Sequence, residues 1–100
     1  MLILGVSTIH HLSQNPTHPI NFSDLTTYGV YTMTGAYAND YPPGGQYGYY
    51  IIEVVGSTDF NGLIQRATIT RLNGVLNGST FQRAYYASYG WSSWGKISFE

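Results

Sequence analysis

The sequence predicts an all-β fold: a compact, antiparallel, sandwich-like domain of about six strands with one short helical turn near residues 22–27. Three observations carry that expectation. Ten tyrosines, two tryptophans and 12 glycines stand among many Thr, Ser and Asn residues, while Ala, Lys, Glu and Leu, the residues that favour helices, are scarce. Several runs alternate apolar with polar residues, the period of a half-buried strand. Between them lie turn dipeptides such as Asn73-Gly74 and Asn77-Gly78, which supply positive φ at low cost.

A chain of 100 residues is the size of one ordinary domain and closes one modest core. Apolar residues form 43% of it, enough for that core, but only 9% are charged, far below the roughly 25% of an average soluble domain. The surface must then be built largely of neutral polar groups. With Lys+Arg 4 against Asp+Glu 5 there is no basic field to gather phosphates, so no nucleic-acid partner is expected. Cysteine is absent, which excludes a disulfide framework and a thiolate metal site. The start, Met1 to Val6, is apolar but lacks the basic flank and length of a signal peptide. No run approaches the ~20 residues of a membrane span, so neither a leader nor membrane insertion is expected.

Residues 2–9 read as a first strand, and His10 to Pro19, with two prolines, reads as a linker. The expected organisation is therefore an N-terminal strand and linker over 1–20 and the domain proper over 21–100. Asn21 or Ser23 can cap a helix start with Asp24 in its first turn, and Gly29 ends the pattern. Val30 to Thr34 alternates as a strand. Gly35 to Gly48 packs four glycines and Pro42-Pro43 into a loop that reads as too polar for the core. Tyr49 to Val55 is a continuous β-prone run, with Ile52 and Val54 assigned to the core and Glu53 to solvent or a partner. After a turn at Gly56 to Gly62, Leu63 to Leu72 alternates, with Arg66, Thr68 and Thr70 on one side and Gln65, Ala67, Ile69 and Arg71 on the other. Phe81 to Ala87 and Trp91 to Phe99 read as a final hairpin around Tyr89-Gly90, with Phe81 in the core. No internal repeat or heptad period is present.

Chemistry-bearing residues are few. His10, His11 and His18 do not make a metal site, because adjacent strand residues point to opposite faces and no carboxylate or thiol lies near in sequence. Only a threefold assembly would repeat one of these imidazoles around an axis. The carboxylates are Asp24, Asp40, Glu53, Asp59 and Glu100; Asp24 suits a helix start, Asp40 and Asp59 suit Asx turns, and Glu100 is terminal. No Gly-x-Ser-x-Gly or other nucleophile motif appears. The expectation is a protein without catalytic activity, metal or cofactor.

Aromatic residues are the better lead. Tyr85-Tyr86 and the run Tyr89 to Trp94 bring flat apolar faces together with hydroxyls, the chemistry that holds sugar rings or protein surfaces. The loop Tyr37 to Tyr47 does the same with Asn39 and Asp40. A glycan site is therefore expected from Tyr37, Asn39, Asp40, Tyr47, Tyr89 and Trp91. Trp91 and Trp94 are three apart and would face opposite sides of a regular strand, and Trp94 is assigned to the core.

Four blocks stand in a familiar order. They are Asp24-Leu25-Thr26-Thr27-Tyr28-Gly29-Val30-Tyr31; Pro42-Pro43-Gly44-Gly45 with Gly48-Tyr49-Tyr50-Ile51-Ile52-Glu53-Val54; Ile64-Gln65-Arg66-Ala67-Thr68-Ile69; and Phe81-Gln82-Arg83-Ala84-Tyr85-Tyr86 with Trp91-Ser92-Ser93-Trp94-Gly95-Lys96-Ile97. Together they resemble the pyocin knob family, β-rich knobs that trimerise along R-type pyocin tail fibres and phage tail or head fibres. The resemblance implies a structural module on the virion exterior, made in the host cytoplasm. It implies assembly with its own copies in a homotrimer. Residues 1–20 lie outside the four blocks and are expected to be a shaft end, an attachment strand or a segment docked on other virion proteins, and host cell-surface polysaccharide is a further expected partner. A scarcity of charge beside ten tyrosines points the same way, towards apolar surface covered by assembly. A trimerisation cap without ligand and a polysaccharide-degrading domain are the alternatives.

Overall fold

In the computed structural model, which describes residues 8–57 and 62–97, eight strands form one mixed sheet. They are β1 (Ile9–His11), β2 (Gly29–Thr34), β3 (Tyr49–Ser57), β4 (Gly62–Leu72), β5 (Val75–Leu76), β6 (Thr80–Tyr86), β7 (Gly90–Trp91) and β8 (Gly95–Ile97). The order across the sheet is β1-β2-β3-β4-β6-β7, with β5 beside the end of β4 and β8 beside the start of β6. All neighbours are antiparallel except β1, which runs parallel to β2. The all-β class read from composition is the class observed.

Three local expectations need correction. The strand expected over residues 2–9 lies mostly outside the described residues, and β1 occupies Ile9–His11, running from the last residue of that strand into the expected linker. Its parallel pairing is possible because residues 12–28 are long enough to carry the chain back to the start of β2, which a short turn could not do. The loop from Gly35 to Gly48 is part of the core: Ala38, Pro42, Gly35, Gly45 and Gly48 are all buried. Its polar backbone is satisfied by tight internal bonds, among them Gly45 N to Pro42 O at 2.9 Å and Gly35 N to Gly48 O at 2.9 Å, which removes the cost of burying it. The layer opposite the sheet is thus irregular chain and not a second sheet.

Period-2 alternation sorts the sheet into two faces. On the covered face, cross-strand register aligns Tyr31, Ile52, Ala67 and Phe81 in one row and Gly29, Val54, Gln65 and Arg83 in the next. Phe22 and Leu25, from the segment before β2, pack on these rows with Ala38 to complete the core. The expected core residues Ile52, Val54 and Phe81 are buried there. On the other face the matching rows are Thr32, Ile51, Thr68, Thr80; Val30, Glu53, Arg66, Gln82; and Val55, Ile64, Ala84.

Turns follow their residues. Asn73 and Gly74 have φ of 54° and 80° and join Leu72 to Val75 directly, the geometry of a two-residue hairpin with both central residues left-handed. The covering segment is pinned by side chains: Gln14 exchanges bonds with Ile20 (Ile20 N to Oε1 2.8 Å, Nε2 to Ile20 O 2.7 Å) and also donates to Thr34 O at 3.0 Å.

Tyr50 lies under the 35–48 loop and donates its hydroxyl to Gly45 O at 2.7 Å. Burial, with the charge of Tyr41 as a smaller cause, pushes its phenol well above the ordinary value. A folded pKa above the unfolded one means stability that is full below about pH 10 and lost as pH rises further. Tyr50→Phe is expected to cost ~1 kcal/mol at neutral pH, the net worth of one hydrogen bond. Thermal melts of both proteins at pH 8 and pH 11 should show that gap shrinking at the higher pH; a constant gap would contradict the assignment.

Candidate functional site

Arg83 stands on the covered face of β6 beside Phe81 and Tyr85, a position that demands partners for its charge. It has four. Nε donates to Gln65 Oε1 at 2.9 Å, Nη2 to Asp40 Oδ2 at 3.2 Å, and the guanidinium lies 4.0 Å over the Trp91 ring and 4.4 Å over that of Trp94. Burial pushes the Arg83 pKa down, and the hydrogen bond and charge of Asp40 push it back. Its ordinary value lies so far above neutrality that the side chain stays charged.

Asp40 and Gln65 extend the network into the covering layer. Asp40 accepts from Phe22 N and Ser23 N, both at 2.8 Å, which are free donors at the start of the 3-10 turn Phe22–Asp24. Asp24 accepts from Asn21 N at 2.9 Å, as expected for an acid in the first turn. Gln65 donates to Phe22 O at 2.6 Å and Leu25 O at 2.8 Å. Trp94 Nε1 donates to Asp40 O at 2.9 Å, and its ring meets Phe22 edge-on at 5.6 Å. One ion pair thereby locks sheet, turn and loop together, and no buried side-chain polar atom among the described residues lacks a partner.

The two tryptophans correct the sequence reading. Both clasp Arg83 and neither is fully buried. Residues 92–94 leave the strand path between β7 and β8, so the spacing of three no longer places the rings on opposite sides. Trp94 packs at the core's margin, Trp91 against Tyr85 at 5.1 Å.

The six residues expected to form a glycan site do not form one cluster. Asp40 and Trp91 share Arg83, and the Asp40 carboxylate already accepts three bonds. Asn39 is exposed, its backbone N–H held by Asn21 Oδ1 at 2.9 Å. Tyr37 is exposed at a positive φ of 69°. Tyr47 lies beside Leu72 and Asn73 in an open hollow that Tyr41 also lines, at the sheet end where Tyr49 faces Arg71. Tyr89, 85% exposed, belongs to the other end, where Ser57 faces Gly62 and Gly62 faces Tyr86. The nine residues of β3 separate these ends by about 26 Å.

Sequence reading named Tyr86 among the promising aromatics but left it out of the six-residue site, and it completes the second end. Tyr86 stacks on Tyr89, with centroids 5.6 Å apart and planes inclined by 25°, because a three-residue turn closed by Tyr89 N to Tyr86 O at 2.8 Å returns the chain onto β6. Gly90, at φ 77°, permits that return. The usable signal was the spacing of two tyrosines around a Gly-closed turn.

Of the histidines, His10 stacks on Tyr31 at 5.1 Å and His11 Nδ1 lies 2.7 Å from Thr32 Oγ1. No group of three or more His, Asp or Glu residues that could hold a metal ion occurs among the described residues. Among the described residues no helix is long and apolar enough to cross a membrane. Comparison with known proteins finds no matching family model, no significantly similar curated protein and no significantly similar solved structure, so the knob resemblance rests on the four blocks of residues that carry it.

Proposed function

We propose that this chain is a structural, non-enzymatic surface module of a phage-type fibre, a homotrimer on the virion exterior whose outward tyrosines attach to host cell-surface polysaccharide. The observation that carries the reading is the number of aromatic rings held outside a well-locked core. Tyr28, Tyr37, Tyr47, Tyr49, Tyr86 and Tyr89 are each at least half exposed. Such rings offer flat contact area with little side-chain entropy to lose. Turns joined to a rigid sheet suit that use, since they can change without disturbing the core. The stacked Tyr86 and Tyr89 pair is the best-formed platform for a sugar ring. Placement on a fibre follows from the resemblance, and residues 1–20, which lie outside it, are the segment proposed to dock on other virion proteins.

Binding per copy should be weak, because one shallow aromatic site buries little, and three sites on one assembly gain from effective concentration. The test is a screen of the purified protein against host cell-wall and surface polysaccharides. Tyr86→Ala with Tyr89→Ala should weaken retention on the bound polysaccharide by at least ~10-fold, given ~1–1.5 kcal/mol for an aromatic contact multiplied over copies. Tyr37→Ala with Tyr47→Ala, about a sheet length away, reports on the other end. Folded wild-type protein that ignores every polysaccharide would leave a trimerisation cap without ligand, and shortened polysaccharide chains would point to the degrading alternative.

A further inference from the structure

Among the described residues the sheet is covered on one side only. Its open face carries Ile51, 41% exposed, and Val55, 58% exposed, with Val30 and Ile64 half-buried beside them. At the centre, directly opposite across β3 and β4, stand Glu53 and Arg66. A directly opposed acid and base on one sheet face would ordinarily pair. Here they do not: Arg66 leans the other way, giving Nε at 3.3 Å and Nη2 at 3.0 Å to Gln82 Oε1 on β6. The exposed side chain of Glu53 takes part in no ion pair or hydrogen bond among the described residues, and Nη1 of Arg66 keeps both its hydrogens for another acceptor.

We infer that copies of this chain meet through this open face, with Glu53 of each copy paired to Arg66 of its neighbour. The inference rests on the assembled state proposed above and names the surface that makes it. A face with one acid and one base in an apolar and threonine surround is complementary to itself and to little else. Three such faces turned to one axis form a closed ring of alternating charge, with none left over. The aliphatic side chains supply the burial, while the charge pairs set register and exclude other alignments, since a desolvated ion pair adds little net affinity of its own.

Charge exchange tests it. Sedimentation equilibrium of the whole chain should show a species of three times 11.1 kDa for the wild type. Glu53→Arg alone and Arg66→Glu alone each place like charges together and should raise the dissociation constant at least ~10-fold. The double exchange should return it to within ~3-fold of wild type. Near-ultraviolet circular dichroism of Trp91 and Trp94, which lie on the covered face, checks that every variant is folded. Folded single variants that assemble like wild type would overturn this surface while leaving the assembled state standing, and so would a double exchange that fails to rescue. A wild type that stays monomeric at several hundred micromolar would overturn the assembled state and this surface with it.

Discussion

Asp40→Ala is expected to cost ~3–5 kcal/mol, the penalty for removing one partner of a buried ion pair and leaving the other uncompensated. The loss is compound. Arg83, only 7% exposed, keeps Gln65 and the two rings but loses its counter-charge. Phe22 N and Ser23 N lose their acceptors, and each unsatisfied donor adds a desolvation cost. Against a small domain's total of 5–15 kcal/mol, this is enough to leave much of the protein unfolded at 37 °C. Asp40→Asn should fall between, because an amide oxygen still accepts from the turn but carries no charge. Urea titration followed by tryptophan fluorescence measures both. A midpoint for Asp40→Ala unchanged from wild type would mean that the carboxylate does not hold the layers together.

Trp94→Ala is the second large effect, ~3 kcal/mol, at the low end of the range for aromatic truncation because the ring is only partly buried. It removes one of the two rings flanking Arg83, the edge-on contact with Phe22 and the indole donor to Asp40 O. Trp94→Phe separates these: a ring remains over Arg83 and beside Phe22, and only the donor is lost, for ~1 kcal/mol. Guanidinium melts of the three proteins should rank wild type, Trp94→Phe, Trp94→Ala. An Ala variant as stable as wild type would place the indole outside the structural network and make it a ligand candidate.

Much of the sheet was legible because its strands obey a local rule. Leu63 to Leu72 alternates with period two and Tyr49 to Val55 is continuously β-prone with one charge, and strand geometry alone then separates Ile52 and Val54 from Glu53, and Ala67 and Ile69 from Arg66. Asn73-Gly74 is equally local, since a two-residue turn with positive φ needs those residue types whatever surrounds it. The candidate site was less legible. Tyr37, Tyr47 and Tyr89 were recognisable as loop aromatics, but their distribution over opposite sheet ends depends on pairings between residues up to tens of positions apart. Asp40 looked like an ordinary turn residue; its commitment to Phe22, Ser23 and Arg83 spans 18, 17 and 43 positions.

What the sequence determined by itself is therefore the all-β class, the main strands, their inward residues and the turn types, all set by backbone sterics and burial period over a few neighbouring residues. Tertiary structure decided the rest. It paired β1 parallel to β2, laid a glycine- and proline-rich loop over the core, brought two tryptophans to one arginine and left the Glu53 and Arg66 face open. Each of these depends on satisfying a buried polar group or covering apolar surface with a partner distant in the chain, and no local pattern of residues records which partner that will be.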